Sequence, residues 1–343
     1  MFMRRYFLTG AVLLAALPSL VSAQEPPPEG SYKLTATTKV GGDGGWDYVY
    51  ADAAGRRLYI PRSGQGATAR VTVFDLDSLK PVGEIPGVNG HGVAVDPKSG
   101  NGFVSSKPVT MFDTKTLKVT KTIAVQGNPD GIFFDAFNER VYVFSHVAPN
   151  ATVIDATNGN IIGTIDLGGQ PEQAASDGQG KIYVALEDKD QVAVIDAKAM
   201  SVIAHYDLDG VGAGPAGLAL DPKTNTLFVA CHNETMVYLD AATGQFLYAL
   251  PIGAGTDGAV FNPATNDVFS SQSDGTLTIA NERGPGNYNM VGTVMTAPGA
   301  RTLTLDPTTG KVYVVTAQYG PATAGQRRGP MGPGSFEIIT VSK

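Results

Sequence analysis

A short apolar run closed by Asp or Asn occurs seven times along this chain, and no other feature restricts the fold as much. The closing residues are Asp52, Asp96, Asp135, Asp177, Asp221, Asn262 and Asp306, at intervals of 44, 39, 42, 44, 41 and 44 residues. Pro follows four of them, at Pro97, Pro222, Pro263 and Pro307. Pro presets φ, the Asp side chain caps the turn, and a following Asn or Gly tolerates positive φ, so each anchor marks a tight hairpin turn. An aromatic residue stands seven positions later at Tyr59, Phe103, Tyr142, Phe228, Phe269 and Tyr313, and six later at Tyr183. A third alternating run, such as Ala151-Thr152-Val153-Ile154-Asp155, ends at another Asp, and a fourth, such as 161–167, completes the unit. The period is two throughout, which makes each unit four short strands.

A four-stranded sheet of this length cannot cover both of its own faces, but stacking such sheets around an axis buries them against one another. The predicted fold is therefore all-β: a seven-bladed β-propeller of four-stranded antiparallel blades. The blades fall near 44–86, 89–125, 128–167, 170–208, 214–252, 255–295 and 299–343. The last of these has only three strands. The segment 32–40 resembles the fourth strand 117–125 of the second unit, so an N-terminal strand is expected to complete the last blade and close the ring, leaving no exposed edge.

Ahead of the propeller, residues 1–23 read as a signal peptide. Arg4 and Arg5 precede an apolar stretch from Tyr6 to Leu20, and Val21-Ser22-Ala23 offers small residues at the cleavage positions. Arg4-Arg5-Tyr6-Phe7-Leu8 also resembles a twin-arginine signal, and an ordinary secretory n-region with two arginines reads the same way. Residues 24–31 form a Pro-rich tether. The expected destination is the periplasm or the exterior, with no membrane span after cleavage. Losing the two signal arginines takes the formal net charge from −7 to −9, which argues against a nucleic-acid partner. Cys231 is the only cysteine, so no intramolecular disulfide can form. The chain is expected to be a monomer.

Tyr142-Val143, Tyr183-Val184, Phe228-Val229-Ala230 and Tyr313-Val314, with the Asp-Pro turns and the Val-x-Val-Ile-Asp strands, resemble the YVTN β-propeller repeat family. The Gly-His and Trp-Asp marks of WD repeats are missing at the required positions. Ser176-Asp177-Gly178 departs from the YVTN pattern by lacking Pro, and the third strands of the sixth and seventh units are degenerate. The resemblance implies an exported or surface protein and no particular reaction.

Chemistry is expected at one mouth of the central channel, because the up-and-down strand order brings two loop sets to one face. The loops before the innermost strands place Asp47, His91, Asp130, Glu172, Ala216, Asp257 and Arg301 at one matching position between repeating Gly and Pro. Variation on a fixed frame is what a binding site on a scaffold looks like. The loops after the second strands add Arg62, Lys107, His146, Glu187, His232, Gln272, Ser273 and Gln318. These residues allow a divalent cation held by carboxylates and imidazoles, with Glu172, His91, His232 and Asp130 as candidate ligands, an anion paired with Arg301, or acid–base work by a His–carboxylate pair. A merely solvated mouth gives the same composition. The irregular stretch 319–334, with Arg327-Arg328 at its middle, belongs to the same face. Two functions compete. One is an exported binding scaffold presenting this mouth to a small molecule or protein. The other is a metal-dependent, lactonase-like hydrolase or lyase.

Overall fold

The computed structural model describes residues 31–148, 150–284, 286–322 and 329–343. The segments read as a signal peptide and most of the tether lie outside them, as do Arg327 and Arg328. From Tyr32 onward the chain forms one compact unit of seven four-stranded antiparallel sheets. Blade 1 runs Tyr50–Asp52, Arg57–Arg62, Arg70–Asp75 and Pro81–Pro86, from the axis outward. Blades 2 to 6 repeat that order, their innermost strands being Gly90–Asp96, Pro129–Asp135, Pro171–Ser176, Pro215–Asp221 and Thr256–Asn262. Blade 7 consists of Leu303–Asp306, Lys311–Thr316 and Glu337–Ser342, with Lys33–Lys39 as its outermost strand. The N-terminal strand therefore closes the ring, pairing Lys33 with Ser342 through to Lys39 with Glu337. Among the described residues no helix is long and apolar enough to cross a membrane.

The turn chemistry operates as the residue types dictate. Backbone N–H groups of Lys98, Lys223, Ala264 and Thr308 donate to the side chains of Asp96, Asp221, Asn262 and Asp306 at 2.8–3.0 Å. The second Asp series caps the outer hairpins, as where Asp155 accepts from both the backbone and the hydroxyl of Thr157. Arg56 and Glu139 take the left-handed turn position, at φ 51° and 55°, where Gly or Asn is the easier residue. Arg56 is fixed there by ion pairs to Asp77 and Asp306.

The apolar core is divided among the blade interfaces. Seven clusters among the described residues each draw on two neighbouring blades, as where Tyr183, Val192 and Val194 of blade 4 meet Leu218, Leu227 and Val229 of blade 5. The recurrent aromatics lie in these seams, each no more than 2% exposed. Polar bonds cross the same seams: the Tyr183 hydroxyl donates to the Ala241 carbonyl, and the Tyr313 hydroxyl to Leu76, at 2.8 and 2.9 Å. Near the axis the innermost strands touch so closely that a Cβ on Gly217 would lie 2.6 Å from the Gly258 carbonyl carbon. Trp46 is buried in the seam between blades 1 and 7, 5.0 Å from Phe336, and so plugs the core. Cys231 is fully buried and its thiol is pushed up to about 12 by desolvation, which makes it inert.

Two polar devices hold the ring at its weakest points. At the closure, the Tyr32 hydroxyl donates to Asp267 of blade 6 at 2.7 Å, and Lys343 reaches the same carboxylate at 3.2 Å. Inside the channel, the Gln173 side chain reaches from blade 4 to blades 5 and 6. Its oxygen accepts from Leu218 N and Ala259 N at 3.0 and 2.9 Å, and its amide donates to Ala259 O at 2.9 Å. Below this bridge the channel is walled by apolar groups such as Phe133, Leu218, Leu220, Val260 and Phe261.

Each device makes a prediction readable by urea denaturation. Tyr32→Phe keeps the ring contact with Phe269 and removes only the donor to a buried carboxylate, so unfolding free energy should fall by about 1–2 kcal/mol. Gln173→Ala strands three backbone groups at once and should cost about 2–3 kcal/mol. Unchanged stability in the Gln173 variant would mean that water satisfies those groups equally well.

Candidate functional site

The frame of the mouth repeats because its backbone repeats. Strand pairing is irregular at the entrance of five innermost strands: between Gly90 and Val93, Pro129 and Ile132, Pro171 and Ala174, Pro215 and Gly217, and Thr256 and Gly258. Such irregularities re-aim a side chain out of the pleat. The residues within them are His91, Asp130, Glu172, Ala216 and Asp257, which with Asp47 and Arg301 form an inner ring. A second repeated bond sets an outer ring. Ser63 N, Glu187 N, His232 N and Ser273 N each donate at 2.9 Å to the carbonyl of a residue opening the matching loop: Gly45, Gln170, Gly214 and Gly255.

Five of these side chains form a continuous row across blades 1 to 4. His91 Nδ1 lies 2.8 Å from Asp47 Oδ2 and 3.0 Å from Asp130 Oδ1. The other oxygen of Asp130 lies 3.3 Å from His146 Nε2, which is 3.0 Å from Glu172 Oε1. That imidazole nitrogen is shielded from solvent and is not aligned for a hydrogen bond to either carboxylate. The far oxygen of Glu172 accepts a 2.6 Å hydrogen bond from Tyr48. Two overlapping groups, Asp47–His91–Asp130 and Asp130–His146–Glu172, each present three ligand atoms within 4.8 Å of one another. Donors about 2.1 Å from a common ion sit roughly 3.0–3.4 Å apart, the spacing seen along much of this row.

Burial and mutual charge shape the protonation of the row. Burial raises the Asp130 carboxyl to about 6, with the Asp47 carboxylate adding to the effect. The Glu172 carboxylate beside His146 raises that imidazole to about 9, and Asp47 holds His91 up as well. Burial places the Tyr48 hydroxyl well above its ordinary range, and Glu172 reinforces it, so Tyr48 stays a donor. The row is thus a set of carboxylates whose negative charge needs cations, supplied by protons on the two imidazoles or by an ion in their place.

The remaining candidates separate from this row. His232 Nε2 contacts Glu187 Oε1 at 3.1 Å, and Arg301 Nη1 contacts Asp257 Oδ1 at 2.6 Å. Burial raises the Asp257 carboxyl against the pull of Arg301. These two pairs line a cavity of about 570 Å3 with Gly255, Thr256 and Ser273. His232 therefore stands apart from Glu172, His91 and Asp130, and His146 and Asp47 take the places beside them. Gln272 is fully buried, with its side-chain oxygen accepting from Thr276 and Thr278 of its own blade. Arg62 is also buried, donating to Gly44 O and stacked 3.6 Å over Phe336. Gln318 is exposed, its backbone bonded to Ser335 and Gly332 at the base of the 319–334 stretch. His205 is on an outermost strand, 3.0 Å from the Leu167 carbonyl. Tyr48 and Gln173 were not singled out by the sequence. Each adjoins an inner-ring position, which is the one signal that could have drawn attention to them.

No family model matches the chain. Over 196 residues it is 28% identical to "Uncharacterized protein YncE" of Salmonella typhi and to the protein of the same name in Salmonella typhimurium. That match covers 54% of this chain and 54% of each relative, so the chain spans about half the length of the curated relatives it matches. Among solved structures, a chain of "Crystal Structure of Mitotic Checkpoint Complex" superposes with a TM-score of 0.71 at 12% identity, covering 90% of this chain and 96% of that one. That likeness is of fold alone: the chain is similar to seven-bladed propellers in architecture.

Proposed function

We propose that the protein is an exported YVTN-type binding scaffold that holds a divalent metal ion at its channel mouth. The observation that carries this reading is the unbroken Asp47–His91–Asp130–His146–Glu172 row, built from four successive blades on a repeating frame. Imidazole mixed with carboxylate favours Zn2+, Mn2+, Fe2+ or Ni2+ over the all-oxygen sites of Ca2+ or Mg2+. Tyr48 would act behind Glu172, holding one carboxylate oxygen so that the other faces the ion. The signal-like segment 1–23, with its two arginines, supports export to the periplasm or beyond, and the acidic charge supports a partner other than nucleic acid. The imidazole–carboxylate contacts of the row also support a second reading, metal-dependent hydrolysis or lyase chemistry, which turnover of a lactone panel by metal-loaded protein would reveal.

Elemental analysis and calorimetric titration of the purified protein test the metal. His146→Ala and Asp130→Asn should each weaken binding at least about tenfold, and Tyr48→Phe by roughly 10–100-fold. His232→Ala should leave it unchanged. Binding that is absent in the natural protein, or indifferent to both row variants, would remove the reading.

Protons and metal compete for the same nitrogens, which sets a pH dependence. The folded chain holds the His146 proton up to about 9, whereas the unfolded chain releases it near about 6.5. In chelated protein, this group's stabilisation is therefore full below about 6.5 and is lost as pH rises through about 9. Asp130, also raised, adds a loss between about 4 and 6 as its buried carboxyl ionises. Thermal melts of chelated protein should decline from pH 6.5 to 9, and saturating Zn2+ should abolish the decline.

A further inference from the structure

The cavity of about 570 Å3 in the sector of blades 4 to 7 is distinct from the cation row. At the inner-ring position between Glu172 and Asp257, blade 5 supplies only Ala216, whose side chain has no polar atom and which does not line this cavity. The walls come from Glu187, His232, Asp257, Ser273 and Arg301, with Gly255 and Thr256, so an apolar ligand would find little to contact.

Arg301 organises the site. Among the described residues it makes one ion pair, through Nη1 to a single oxygen of Asp257. A guanidinium held at one nitrogen keeps a second planar edge that matches a carboxylate with two parallel hydrogen bonds. The next residue, Thr302, is buried and held at φ 58°, a conformation that β-branched residues avoid. Backbone strain of this kind collects where a side chain must be aimed. Blade 6 adds the Ser273 hydroxyl, and blades 5 and 4 add the His232–Glu187 pair, which together offer donors and acceptors suited to hydroxyl groups. Charge limits the ligand further. Arg301 is the one guanidinium lining the cavity and it faces the acidic groups of Asp257 and Glu187, so a ligand with a single carboxylate placed on its second edge suits the site better than a dianion.

We infer that this cavity is a separate small-molecule site for a compact hydroxycarboxylate monoanion, its carboxylate on Arg301 and its hydroxyls toward Ser273 and the His232–Glu187 pair. The inference goes beyond the metal reading and does not need it.

Calorimetry on chelated protein tests it with D-glycerate, L-threonate and D-gluconate, using glycerol, threitol and sorbitol as their uncharged counterparts. At least one acid should bind, and its polyol should bind at least about tenfold more weakly. Arg301→Gln should raise the Kd at least about tenfold. Ser273→Leu, which fills the cavity without touching an ion pair, should do the same and covers the case in which the Arg301 variant fails to fold. His146→Ala should leave acid binding within about twofold. Polyols binding as well as acids, or no binding by any acid, would overturn the site. So would binding that survives both Arg301→Gln and Ser273→Leu. Loss of acid binding in His146→Ala would assign the carboxylate to the cation row, overturning this site and leaving the metal reading in place.

Discussion

Sheet packed on sheet, with the ring closed, is the constraint on which everything else rests. No blade here can stand alone: each is four short strands with two apolar faces, and each of the seven apolar clusters belongs to a pair of blades. Burial at every interface therefore requires a neighbour on both sides, and a chain can meet that requirement only by returning to its start. The pairing of Lys33–Lys39 with Glu337–Ser342 makes that return, and Tyr32, Asp267 and Lys343 secure it.

Closure also produces the site. Residues some 40 positions apart in the chain become neighbours at the axis, where the innermost strands approach to within contact at Gly217 and Gly258. A single polar residue per blade then becomes a ring of polar residues. Where successive blades contribute Asp47, His91, Asp130 and Glu172, the ring condenses into a row of touching acids and imidazoles. Where the ring residue is Ala216, no such contact forms, and the cavity lies in that sector. The backbone supplies the frame identically each time, and one side chain per blade decides the chemistry.

The number of blades, the strand order and the closing strand were legible because each rests on local chemistry repeated seven times. An Asp that caps its own turn and an alternating apolar run need no knowledge of distant residues. The ring of mouth residues was legible for the same reason, since its positions follow from register. The partnerships were harder to read. His91, His146 and His232 look equivalent in the chain, yet the first two join the row and the third pairs with Glu187. Gln272 and Arg62 looked like mouth residues and turned inward, because a long polar side chain leaving a strand end can fold back over its own blade or seam. Tyr48 and Gln173 carried no mark in the chain at all, because their roles consist wholly of reaching another blade.

By itself, then, the sequence determined the repeat, and with it the propeller, its closure and the face on which variable residues gather, because those follow from periodicity and from turn chemistry confined to a few residues. Only the tertiary structure decided which acids and imidazoles come into contact, which imidazole stands apart, and where the mouth stays open. Those outcomes depend on distances of about three ångströms between side chains of different blades, and no pattern along one strand encodes them.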